Sequence, residues 1–130
     1  MKINTKRYVD LAAITANLSD RKKNKTGCVI LDKNNRVVSI GFNSDKTHPT
    51  QWRYATHVGN EKACHLHAEI AALVRLRRHQ TPHTAIVVRL LANGNRSMAK
   101  PCKICQAALI DIGIEQVYFT NKKGEVEKMY

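Results

Sequence analysis

The chain has 130 residues, the size of one domain spanning 1–130 and enough to bury a core without disulfide staples. Its 43% hydrophobic and 25% charged residues are an ordinary globular composition, and no apolar run reaches the roughly eighteen residues that cross a membrane. Lys and Arg outnumber Asp and Glu by 22 to 10, a formal net charge of +12. This excludes disorder by acidic repulsion and points to an anionic partner, a nucleotide or nucleic acid ahead of a membrane surface.

Tyr8, Leu11, Ala12, Thr15 and Leu18 recur at helical spacing, which predicts an amphipathic helix over roughly 6–18. The basic stretch Arg21-Lys22-Lys23-Asn24-Lys25 reads as an exposed loop. Two β-branched runs, 28–31 and 37–40, flank Asp32-Lys33-Asn34-Asn35-Arg36 and predict a hairpin, with Asn at the left-handed turn positions. From Asn43 to Cys64 no period is visible, and the stretch reads as a long loop. His67, Ile70, Ala71 and Val74 share a face of a predicted helix over about 65–78, with Arg75, Arg77 and Arg78 at its C-terminal end.

The run 85–91, apolar apart from Arg89, predicts a central strand, and 92–96 a turn. Pro101 suits the first position of a helix that Gly113 ends. A strand at 116–120 follows, and the turn Asn121-Lys122-Lys123-Gly124 leaves 125–130 room only to return antiparallel. The order describes an α/β sandwich with helices packed on a mixed sheet.

Behind Met1-Lys2-Ile3-Asn4-Thr5-Lys6-Arg7 no apolar segment follows, so the stretch does not read as a secretory leader. A cytoplasmic location with the four cysteines reduced is expected. Cytosolic cysteines are metal ligands, catalytic groups or core residues more often than cross-links. Cys28, on an apolar strand, reads as core.

Two fragments carry chemistry: His67-Ala68-Glu69 and Pro101-Cys102-Lys103-Ile104-Cys105, each at a predicted helix start. Cys102 and Cys105, three apart, can aim both sulfurs at one point beside the positive end of the helix dipole. His67 can add a third donor from the other helix. One His and two Cys fill three corners of a tetrahedron and leave the fourth for water, the open arrangement of a catalytic zinc site. Glu69 is then free to exchange a proton with that water.

At these residues the chain resembles the zinc-dependent cytidine and deoxycytidylate deaminase superfamily, whose signature is histidine-x-glutamate followed by proline-cysteine-x-x-cysteine. The resemblance implies a three-layer sandwich: a mixed sheet of about five strands, the last antiparallel, with helices on both faces. It implies Zn2+ held by His67, Cys102 and Cys105, and Glu69 as proton shuttle in the hydrolysis of a cytosine-type base to the uracil form. Gly41-Phe42-Asn43 is similar to the family's glycine-x-asparagine element, whose asparagine contacts substrate. Asn43-Ser44-Asp45 is similar to the asparagine-x-glutamate that grips the sugar in nucleoside deaminases, with the shorter Asp45 in place of Glu. The resemblance also places the backbone around Ala68 at the pyrimidine edge and implies assembly as a homo-oligomer.

The antiparallel ending resembles free-nucleoside deaminases, whereas the long loop before His67 does not. Three functions therefore stay open: a deaminase of cytidine, deoxycytidine or their monophosphates; a deaminase of a base in single-stranded DNA or RNA; and a non-catalytic zinc-bound module. Arg21, Lys22, Lys23 and Lys25 are expected to attract phosphate, because in proteins of this fold their loop borders the site. His48, His57, Cys64 and His65 stand near the irregular stretch as a possible second metal site, with no closed zinc spacing. Trp52 and Tyr54 can stack on a base or pin the loop to the core.

Overall fold

In the computed structural model, residues 5–59 and 65–130 are described; Met1–Asn4 of the N-terminal stretch and Cys64 lie outside them. Helix α1 (Thr5–Ala16) is followed by the hairpin β1 (Lys25–Leu31) and β2 (Val37–Phe42). The hairpin turn places Asn35 at φ +61°, and Asp32 Oδ1 accepts from the amides of Asn34 and Arg36. Next come α2 (Pro49–His57), α3 (Ala68–Val74), β3 (Thr84–Leu90) and the short β4 (Arg96–Ser97). The chain continues as α4 (Lys103–Ile112), β5 (Gln116–Thr120) and β6 (Val126–Lys128).

The strands form one mixed sheet in the order β2-β1-β3-β5-β6, with β4 pairing β3 off that path. β1 is antiparallel to β2 and β3, β3 and β5 are parallel, and β6 returns antiparallel to β5, as the short C-terminal turn requires. Alternation along the strands divides the core in two. Val29, Leu31, Ile86 and Val88 meet α1, while Cys28, Ile30, Ala85, Val87 and Val117 meet the layer of α2, α3 and α4. The result is the expected three-layer α/β sandwich, with six strands and four helices among the described residues.

Four element expectations are corrected. Pro101, expected as the first residue of a helix, lies ahead of it: Cys102 is the N-cap and α4 starts at Lys103. The stretch after Asn43 contains α2: Pro49 occupies the first turn and His48 Nδ1 accepts the Thr50 amide, so proline starts a helix here. The helix expected over 65–78 is limited to Ala68–Val74. Leu66 is bridged to Ser44 in extended conformation, and Arg75 caps the C-terminus. Arg77 and Arg78 therefore lie beyond the helix. Arg96, expected in a turn, belongs to β4, where it pairs with Leu90.

Candidate metal centre

His67 and Cys102 occupy equivalent places on two helices: each is the N-cap, in extended conformation, of α3 and α4. Pro101 precedes Cys102, and Gly113, at φ +95°, ends α4 in the left-handed conformation glycine adopts freely. His67 is held from behind by a residue the sequence reading did not single out. Gln51 of α2 is fully buried, and its Oε1 accepts the His67 amide at 3.0 Å. The signal was present: Gln51, Tyr54 and Ala55, all buried, sit at i, i+3 and i+4 of a helical face.

The donor atoms of His67, Cys102 and Cys105 lie within 4.8 Å of one another. His67 Nδ1 is 3.2 Å from Cys105 Sγ and 3.5 Å from Cys102 Sγ. Zinc bonds of about 2.0 Å to nitrogen and about 2.3 Å to sulfur put tetrahedral N···S edges at about 3.5 Å. The spacing and the soft, borderline donor set fit zinc. Among the described residues this is the one cluster of His, Cys and carboxylate side chains placed so that it could hold a metal ion. His48 caps α2, His57 is exposed on that helix, and the His65 ring stands 4.6 Å from that of His67.

The electrostatics follow from burial and hydrogen bonding. The Cys105 thiol beside Cys102, with His67 and the Cys105 amide, holds the Cys102 thiol down at about 4 despite its partial burial. Burial pushes the Cys105 thiol well up, and the neighbouring Cys102 adds to this. Burial pulls the His67 imidazole down, but its bond to Cys102 and the charge of Glu69 outweigh that and leave it raised. Glu69 is 5% exposed; burial pushes its carboxyl up, against the pull of His67.

Two of the three donor residues, His67 and Cys102, line a cleft of about 280 Å3. His67, Ala68, Glu69 and Cys102 line it together with Asn43, Arg21 and His65. Asn43 is buried, and its side chain is engaged by β1 and the residue before it: Oδ1 accepts the Thr26 amide and Nδ2 donates to the Asn24 carbonyl, both at 2.9 Å. Asp45 is exposed, outside the cleft lining, with its carboxylate 3.6 Å from Arg21 Nε. Of the basic loop Arg21 and Asn24 line the cleft; Lys22, Lys23 and Lys25 line a separate hollow of about 140 Å3 beside Leu90 and Leu91. Tyr54 is buried and donates to Asp111, whereas Trp52 is half exposed and lines no part of the cleft. Arg89 and Lys100 line it unanticipated.

Residues 2–121 match the model of the cytidine and deoxycytidylate deaminase zinc-binding region. A probable deoxycytidylate deaminase of Caenorhabditis elegans is 28% identical over 124 residues, covering 92% of this chain and 58% of that protein. The chain thus spans little more than half the length of this curated relative. Among solved structures, cytidine deaminase from Burkholderia pseudomallei superposes with a TM-score of 0.67 at 18% identity, covering 98% of this chain and 92% of that one. The dCMP deaminase of cyanophage S-TIM5 gives 0.64 at 21% identity, covering 94% and 86%. These likenesses establish the fold. With the donor set and the match over 2–121, the chain belongs to the cytidine and deoxycytidylate deaminase zinc-binding family.

Proposed function

We propose that the chain is a hydrolytic deaminase converting a cytosine-type base, carried by a nucleoside or mononucleotide, to the uracil form with release of ammonia. The observation that carries this reading is Glu69: a buried carboxyl lining the same cleft as the donors His67 and Cys102. A purely structural metal site has no use for such a group. Zinc held by His67, Cys102 and Cys105 supplies Lewis acidity and an open position at which water is acidified.

Glu69 is the chain's own proton carrier. Its carboxylate takes a proton from the water whose oxygen adds at C4 and delivers it to ring N3. Glu69 then carries the remaining proton of the added C4 hydroxyl to the exocyclic amine; the C4–N bond breaks, the C4 carbonyl forms and ammonia leaves. Burial raises the proton affinity of Glu69, which suits a group that must both accept and return protons. Gln51 fixes the backbone at His67, and Asn43 ties the cleft wall to β1.

The alternative of a base within single-stranded nucleic acid finds less support. No Phe, Tyr or Trp lines the cleft among the described residues, and strand binding relies on stacking platforms. Ammonia release from cytidine, deoxycytidine, their monophosphates and a cytosine-containing oligonucleotide tests the proposal. Release from a monomeric substrate is the expected result. Activity on the oligonucleotide alone, or on nothing in the zinc-loaded protein, would overturn it.

A further inference from the structure

Arg89 interrupts the apolar run of β3 on the same face as Ala85 and Val87, just past the core those residues fill. Its register partners are Thr26 on β1 and Ser97 on β4. Arginine does not deprotonate in proteins, and a partly buried charge without a counter-ion is costly. Arg89 donates from Nη2 to Asn24 Oδ1 at 2.7 Å and from Nη1 to the Met98 carbonyl at 3.5 Å. Its buried Nε has no partner. Among the described residues no carboxylate stands within ion-pair distance of it. Two neutral dipoles therefore face a full positive charge, and the guanidinium has donors to spare.

That charge faces the cleft of the metal centre. Arg21 and Lys100 line the same cleft, and among the described residues Glu69 is the one carboxylate in its lining. Arg21 is partly met by Asp45, whereas Arg89 and Lys100 have no acidic partner among the described residues. We infer that Arg89 determines substrate specificity by meeting an anionic group of the ligand, and that this group is the phosphate of a mononucleotide. The inference rests on the reading above that a cytosine-type base enters this cleft, because the anion a nucleoside carries is phosphate. A guanidinium fork on phosphate makes short, charge-assisted bonds that an ammonium does not match. A cleft of about 280 Å3 with no Phe, Tyr or Trp in its lining among the described residues suits one nucleotide rather than a strand.

Calorimetric binding of deoxyuridine and its 5′-monophosphate to the zinc-loaded chain tests this without turnover. The parent is expected to prefer the monophosphate, and Arg89→Gln to cut that preference about 10–100-fold. Arg89→Lys, which keeps the charge and loses the fork, should recover part of it. Lys100→Gln, at an exposed site, should cut the preference about threefold. A preference ratio unchanged in Arg89→Gln, including equal losses for both ligands, would overturn the inference. Should Arg89→Gln fail to fold, Arg89→Lys and the salt dependence of the parent decide. The preference should fall as salt rises, and a flat response with an unchanged ratio in Arg89→Lys would overturn it. An oligonucleotide bound more tightly than the monophosphate through Arg89 would overturn the mononucleotide assignment. A parent that prefers the monophosphate but releases no ammonia from any cytosine substrate would refute the deaminase reading alone. One that deaminates nucleosides without preferring phosphate would refute the Arg89 inference alone.

Discussion

Gly41 lies so close beneath α3 that a Cβ on it would stand 2.6 Å from the carbonyl oxygen of Ala68 and would collide with the amide of Ala72. Both are backbone atoms of the helix that begins just after His67 and carries Glu69, so no side chain can yield. Gly41→Ala should therefore push α3 off the sheet, at a cost at or above the usual 1–3 kcal/mol of overpacking. We expect a lower Tm and reduced zinc content in the same protein. An unchanged Tm would contradict the close approach. Gly27→Ala makes a control on the other face, because its Cβ would meet Ala12 and Ala16 of α1. It should lower Tm to a similar degree while sparing the zinc of the surviving folded fraction.

The donor geometry predicts one zinc per chain. Cys102→Ala and His67→Ala should each lose most of it, because two remaining donors do not close a site. Chelation of the parent should lower Tm, since metal bound only by the folded state adds to its stability. Elemental analysis and thermal denaturation with and without chelator check both statements. A Cys102→Ala protein with full zinc would contradict the assignment.

Glu69→Gln preserves shape and removes the proton acceptor. Turnover is expected to fall by at least about 10²–10⁴-fold, with zinc content and Tm close to those of the parent. Ammonia release measured on zinc-loaded protein checks it. Activity within tenfold of the parent would remove Glu69 from its proposed role.

Asn43→Ala separates structure from chemistry. The buried side chain satisfies the Thr26 amide and the Asn24 carbonyl, and its loss should cost about 1–3 kcal/mol. The zinc donors are not among these partners, so zinc content should hold while the denaturation midpoint falls. A neutral effect on stability would show that water replaces both bonds.

Asp10 links α1 to β4. Its carboxylate accepts from Arg96 Nη2 at 2.8 Å and from Lys6 Nζ at 3.0 Å. The Arg96 hydrogen bond, reinforced by Lys6, holds the carboxyl below its ordinary value. A carboxyl lowered in the folded state contributes stability that is complete above its unfolded value and is lost as pH falls through the folded one. Asp10→Asn should therefore narrow the difference in Tm between neutral pH and pH below about 4. An identical acid response in parent and variant would show that the pair contributes nothing.

The convergence of His67, Cys102 and Cys105 was legible in the sequence because its signal is local. His67-Ala68-Glu69 and Pro101-Cys102-Lys103-Ile104-Cys105 each lie at a helix N-terminus, where short spacing dictates which side chains share a point. The hairpin around Asn35 and the antiparallel return of β6 were legible for the same reason: turn length and left-handed residues set them. Helix α2 was missed because Pro49 looks the same in sequence whether it breaks a helix or starts one, and its face mixes Gln51 with Tyr54 and Ala55.

What surrounds the centre was decided only by tertiary structure. Five basic-loop residues are adjacent in sequence, yet Arg21 and Asn24 line the cleft while Lys22, Lys23 and Lys25 line another hollow. Asn43 and Asp45 are two apart, yet one is buried in the cleft wall and the other is exposed beyond it. Arg89 looked like a flaw in a core strand until sheet pairing set it opposite Thr26 at the edge of the cleft. Sequence spacing determines which side chains share a local face, but the wall of a cleft is assembled from distant strands, whose register depends on packing across the whole sheet.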